Sequence, residues 1–111
     1  MSRTPSVLAA VAWLLCALAM PVPAQVPPDR PVRAVEAAPG VWFVEGDAAL
    51  GSSANRNFIS NAGFIVTPDG VVVVDALGSP ALATELLAEI RKVTPLPIRH
   101  VVLTHYHADH L

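Results

Sequence analysis

Ile98-Arg99-His100-Val101-Val102-Leu103-Thr104-His105-Tyr106-His107-Ala108-Asp109-His110 decides how this chain is read. Residues 98–104 are apolar and β-branched and follow Pro95 and Pro97, which predicts a strand. That strand runs straight into the pattern HxHxDH, three imidazoles and a carboxylate within six residues. Imidazole nitrogen and carboxylate oxygen suit zinc and related first-row metals, and a short segment lowers the entropic cost of gathering such ligands. A polar loop would explain one or two backbone-bonded histidines, but three of the chain's four histidines lie here. His105, His107, Asp109 and His110 are therefore the candidate metal ligands. His100, the fourth histidine, is expected on the more exposed face of its strand, without a metal role.

Working upstream, Ser79-Pro80 is an N-cap followed by a first-turn proline. Leu82, Leu86, Ile90 and Val93 then mark one helical face until Thr94-Pro95 ends it. Glu85, Glu89 and Lys92 fall on other faces and are expected to be solvated. Before the helix, Val71-Val72-Val73-Val74 is apolar without alternation, as in a strand buried on both faces. Strand, helix and strand make a crossover that pairs residues 71–74 parallel with residues 98–104. The ligand cluster then emerges at the carboxyl end of a strand, where layered α/β folds place their chemistry. Asp75, at the end of the buried strand, is positioned to orient a ligand by hydrogen bonding and is not itself a proposed ligand.

Thr67-Pro68-Asp69-Gly70 reads as a turn joining strand-like residues 57–67 to residues 71–74 in a hairpin. Residues 41–45, Val-Trp-Phe-Val-Glu, read as an earlier strand closed by Gly46, with Trp42 in the core. Residues 46–58 are small and polar and read as a loop. Arg56 within it could hold a substrate carboxylate, but its default is a solvated side chain, so it is no candidate site residue.

The N-terminal residues read as an export signal. Arg3 precedes the apolar residues 7–20, and Val22-Pro23-Ala24 offers cleavage before Gln25. That apolar run is shorter than the roughly 20 residues a membrane-spanning helix needs. A lone arginine favours the general secretory route, and no lipidation box precedes Cys16. The expected domains are a signal at 1–24, a proline-rich leader at 25–40 and an incomplete folded unit at 41–111. The expected location is the periplasm or beyond, reached through the secretory machinery. Cys16 is the only cysteine, so disulfides and thiolate ligands are excluded after cleavage. Residues 25–111 carry six basic and nine acidic residues with no basic cluster, which disfavours nucleic acid as a partner. A small-molecule substrate is the expected partner.

The pattern Thr104-His-x-His-x-Asp-His110 after a buried strand resembles the signature of the metallo-β-lactamase superfamily, and the order of elements from Val41 to Leu111 is similar to the N-terminal half of its αββα sandwich. The fold class the resemblance implies is α/β. It implies that His105 and His107 bind a first metal, and Asp109 and His110 a second. It also implies that a hydroxide held between two zinc ions, with iron or manganese as other occupants, attacks an ester, thioester, lactone or phosphoester, and that Asp109 orients this nucleophile. The family's remaining ligands come from segments later than Leu111, so residues 1–111 alone are expected to be inactive. The intact HxHxDH points to the broad hydrolase branches and away from antibiotic hydrolysis as the default. Two other functions fit the same residues: a mononuclear-iron redox or sulfur-metabolising member of the superfamily, and a periplasmic zinc-binding module without catalysis.

Overall fold

The structure is a computed structural model that describes residues 30–111. The expected signal at 1–24 lies outside the described residues. Five strands form one sheet in sequence order: β1 (Ala34–Ala38), β2 (Val41–Val44), β3 (Ala62–Thr67), β4 (Gly70–Val74) and β5 (Ile98–Val102). The first four pair antiparallel, and β4 and β5 pair parallel across helix α1 (Pro80–Val93), which is the expected crossover.

α1 begins where Ser79 accepts a hydrogen bond from the Leu82 amide, with Pro80 supplying a preset φ in the first turn. It stops at Thr94, which is extended as the residue before Pro95 must be, and Arg91 and Lys92 complement the dipole of the last turn. Its buried stripe is Leu82, Leu86 and Ile90, spaced every four residues. These meet Val44, Ala62, Phe64, Val71 and Val73 from the sheet and Phe58 from the loop before β3. Each such aliphatic side chain contributes about 1.5–3 kcal/mol on burial, so this seam is the principal stabilising contact of the unit. Trp42 stacks on Phe64, its direct cross-strand partner, with ring centroids 5.8 Å apart, as expected for a core residue. The opposite sheet face keeps Val35, Val41, Phe43, Ile65 and Val102 exposed. A mixed sheet covered by one helix on one face, with apolar residues on the other, is compatible with half of a layered sandwich.

Several expectations need correction. Residues 34–38 lie in the stretch whose composition reads as a leader, yet they form the edge strand β1, with Ala34 opposite Val44. The reason is long-range: Glu85 accepts from the Val32 amide at 3.1 Å, and Glu89 accepts from the Ala34 amide at 2.9 Å. Two carboxylates on α1 thus satisfy backbone amides at the entry to the edge strand. They are not merely solvated, and Arg56 is not either, because it pairs with Glu85. The strand expected at 57–67 forms only over Ala62–Thr67, since Arg56 and Asn57 adopt left-handed backbone and turn the chain first. β5 ends at Val102, two residues early, because Thr104 bonds to a side chain instead of a neighbouring strand.

The Arg56 hydrogen bond and the Val32 amide hold the Glu85 carboxyl below its ordinary value of 4.5. The Ala34 amide and Lys92 do the same for Glu89. Groups with lowered folded pKa values stabilise the fold above about 4.5 and lose that contribution as pH falls through the lowered values. Replacing both by glutamine is therefore expected to cost about 1–2 kcal/mol at neutral pH and nearly nothing in strong acid, read from thermal unfolding across pH. A deficit that stays constant with pH would contradict the clamp.

Candidate metal centre

The candidate donors sit where β4 and β5 end side by side. Asp75 closes β4 with a left-handed backbone, φ 58°, and donates its amide to the Val102 carbonyl at 2.8 Å. Leu77 is also left-handed, at φ 68°, and fully buried. Such a conformation costs a bulky residue on the order of 1–3 kcal/mol and persists only where packing enforces it. The double reversal carries the chain away from the sheet edge and leaves the Asp75 carboxylate facing the segment after β5.

That carboxylate is buried and fully engaged. It accepts from the Thr104 amide at 2.8 Å, from the Thr104 hydroxyl at 2.8 and 3.0 Å, and from His110 Nδ1 at 2.9 Å. Burial pushes its pKa up, but the Thr104 and His110 hydrogen bonds outweigh that and hold the carboxyl below its ordinary value. An ionised acceptor on Nδ1 fixes the proton there, so His110 keeps the Nε2 lone pair for a ligand. The Thr104 hydroxyl gives its one proton to Asp75, so it can only accept from His105 Nδ1, 2.9 Å away. The lone pair of His105 is thereby left on Nε2, where it faces His107 Nδ1. One aspartate sets the tautomers of two histidines, the first directly and the second through a threonine.

His105 Nε2 lies 3.2 Å from His107 Nδ1, and His110 Nε2 lies 3.5 Å from Asp109 Oδ2. Two ligands bound at about 2.0–2.1 Å to a tetrahedral ion are separated by about 3.4 Å, so each pair has the spacing of one tetrahedral edge. The His105 and His110 rings are 4.2 Å apart between centroids, which sets the two pairs side by side. Among the described residues, no set of three His, Cys, Asp or Glu side chains is arranged to hold an ion by itself. The donors come as two pairs, with separations of 3.2 and 3.5 Å. Their all nitrogen and oxygen chemistry fits zinc or another first-row metal.

The structure brings all four predicted site residues together: His105 and His107 on the exposed turn, Asp109 and His110 in a half-buried 3₁₀ turn (Ala108–His110). Asp75 occupies the orienting position expected of it. His100 lies apart, in β5, exposed. Arg56 is tied to Glu85 on α1. Two contributors escape sequence reasoning. Thr104 reads only as part of a pattern, although a hydroxyl next to a histidine ligand is the available signal. Ser60, whose hydroxyl donates to the Asp109 carbonyl, gives no local signal, because the contact spans 49 residues.

Residues 55–111 match the model of the metallo-beta-lactamase superfamily. The chain belongs to this superfamily. A linear primary-alkylsulfatase from Pseudomonas sp. is 40% identical over 47 residues, which is 42% of this chain and 9% of that protein. A metallo-beta-lactamase of Hirschia baltica superposes with a TM-score of 0.59 at 30% identity, over 73% of this chain and 36% of that one. A metallo-beta-lactamase of Pseudomonas aeruginosa, solved in a mono-zinc form, gives 0.57 at 24% identity over 76% and 36%, a likeness of fold. The chain thus spans about a third of the length of these superfamily structures, and less of the sulfatase.

Asp75→Asn preserves the shape but removes the charge that fixes both histidines. It is expected to weaken zinc binding by the full-length protein about 10–100-fold, as measured by competition with a chromophoric chelator. Unchanged affinity would contradict the orienting role.

Proposed function

We propose that this chain supplies the first half of the ligand set of an exported, dinuclear metal-dependent hydrolase that cleaves an ester, thioester, lactone or related bond. The observation that carries this reading is the pair of tetrahedral-edge spacings, 3.2 Å for His105 and His107 and 3.5 Å for Asp109 and His110, with tautomers set by Asp75. Superfamily membership supports hydrolysis, and the alkylsulfatase relative makes alkyl sulfate esters the first substrate class to examine. Export rests on the signal-like residues 1–24.

His105 and His107 would hold one metal ion, Asp109 and His110 the other. When bound, two such ions supply Lewis acidity at the scissile group and bring the acidity of coordinated water near neutrality. The protein's part is positional. Asp75 keeps His110 and, through Thr104, His105 in the tautomer that presents Nε2. His105 and His107 are exposed, so a small substrate can reach them without rearrangement of the described residues. Asp109, half-buried next to His110, would orient the attacking oxygen and accept a proton from it.

The test uses the full-length protein with two metal equivalents and a panel of alkyl sulfates, thioesters, lactones and β-lactams, the last because of the Hirschia likeness. Turnover of one ester-type class is expected. His107→Ala should lower kcat/KM by about two orders of magnitude or more, since losing a metal ion removes several kcal/mol of transition-state stabilisation. Equal activity in the variant would overturn the proposal. Two bound metals without turnover would favour a metal-binding module, and iron content with oxygen consumption a redox enzyme.

A further inference from the structure

Asp109 is held at its backbone from two sides, and neither contact comes from the ligand motif itself. On one side the Ser60 hydroxyl donates to the Asp109 carbonyl. Ser60 is only 5% exposed, so that hydroxyl has no solvent to turn to, and the bond is costly to lose. Ser60 is in turn backed by Gly46: a Cβ on Gly46 would lie 2.3 Å from the Ser60 carbonyl oxygen and 2.7 Å from its nitrogen. Gly46 also donates its amide to Asn61 Oδ1 at 3.0 Å, which fixes the two segments together. On the other side stands Gly78, where an added Cβ would come 2.9 Å from Asp109 Cα. The 3₁₀ turn is closed at its end by the Ala76 amide, which donates to the His110 carbonyl at 3.1 Å, and internally by His110 N–H to the His107 carbonyl at 3.0 Å.

We propose that Ser60, backed by Gly46 and opposed by Gly78, is a positioning residue that sets the place of the Asp109–His110 donor pair, and with it the affinity of the second metal, independently of the first. Two facts give the selectivity. The His105–His107 pair is reached through Thr104, and Asp75 bonds both Thr104 and His110, but none of these hydrogen bonds runs to Ser60. The Asp109–His110 pair sits on the turn whose carbonyl Ser60 holds, and a shift of that turn changes the 3.5 Å separation of Asp109 Oδ2 and His110 Nε2 directly. The loop at residues 46–60 thereby gains a role in the site that its small, polar sequence does not announce. The inference rests on the dinuclear reading of the centre.

The experiment is a stepwise Co²⁺ titration of the metal-free full-length protein, followed by visible absorption and by calorimetry, in Ser60→Ala, Ser60→Thr and Gly78→Ala. Wild type is expected to take up two equivalents. Ser60→Ala should weaken the second equivalent about tenfold and leave the affinity and spectrum of the first unchanged. Ser60→Thr, which keeps the hydroxyl, should restore the second step at least in part. Gly78→Ala should reproduce the selective loss from the opposite side, and it keeps the test open if Ser60→Ala fails to fold. Equal weakening of both steps, or no change in either, would overturn the positioning role while leaving the dinuclear reading intact. A wild type that binds one equivalent or none would overturn the dinuclear reading, and the inference with it.

Discussion

The Asp75 carboxylate is the interaction on which the rest of the site depends. It is a buried charge, and a buried carboxylate is tolerated only when its lone pairs are filled. Here they are filled by the amide and hydroxyl of Thr104 and by His110. The parallel pairing of β4 with β5 is what makes this possible, because it brings two strand ends to the same edge of the sheet. α1 makes the parallel pairing possible in turn, by carrying the chain back across the sheet on a buried stripe of Leu82, Leu86 and Ile90. Packing, topology and ligand chemistry are therefore linked in one sequence of causes. A fault in the helix seam would reach the histidines through the strand ends that hold them.

Much of this is legible in the chain itself, for physical reasons that can be named. The four-valine run, the Ser79-Pro80 cap and the spacing of the helix leucines are local signals, and local signals survive into the fold because the same residues make and feel them. The cluster at 105–110 is legible because its donors are adjacent in sequence. What escapes is whatever depends on distant partners. β1 reads as a linker by composition, and becomes a strand whose entry is held by Glu85 and Glu89, more than 50 residues away, which accept from the Val32 and Ala34 amides. Ser60 and Gly78 are ordinary residue types whose importance lies in a close approach to Asp109. Arg56, exposed by default, is claimed by Glu85.

The division of labour within the motif also follows from the structure. His105 and His107 stand in the open and Asp109 and His110 are half-buried, so one pair meets solvent first and the other is fixed by the surrounding backbone. Asp75 links the two pairs, bonding His110 directly and His105 through Thr104, while the turn that carries Asp109 and His110 is held in addition by backbone contacts. The exposed apolar face of the sheet, with Val35, Phe43 and Ile65, is compatible with the layered arrangement of the superfamily.

The most direct test of the central claim is anomalous X-ray scattering from crystals of the full-length protein loaded with zinc. The account predicts two peaks, one within bonding distance of His105 Nε2 and His107 Nδ1 and the other of Asp109 Oδ2 and His110 Nε2. One peak shared among all four residues, or metal bound away from them, would contradict it.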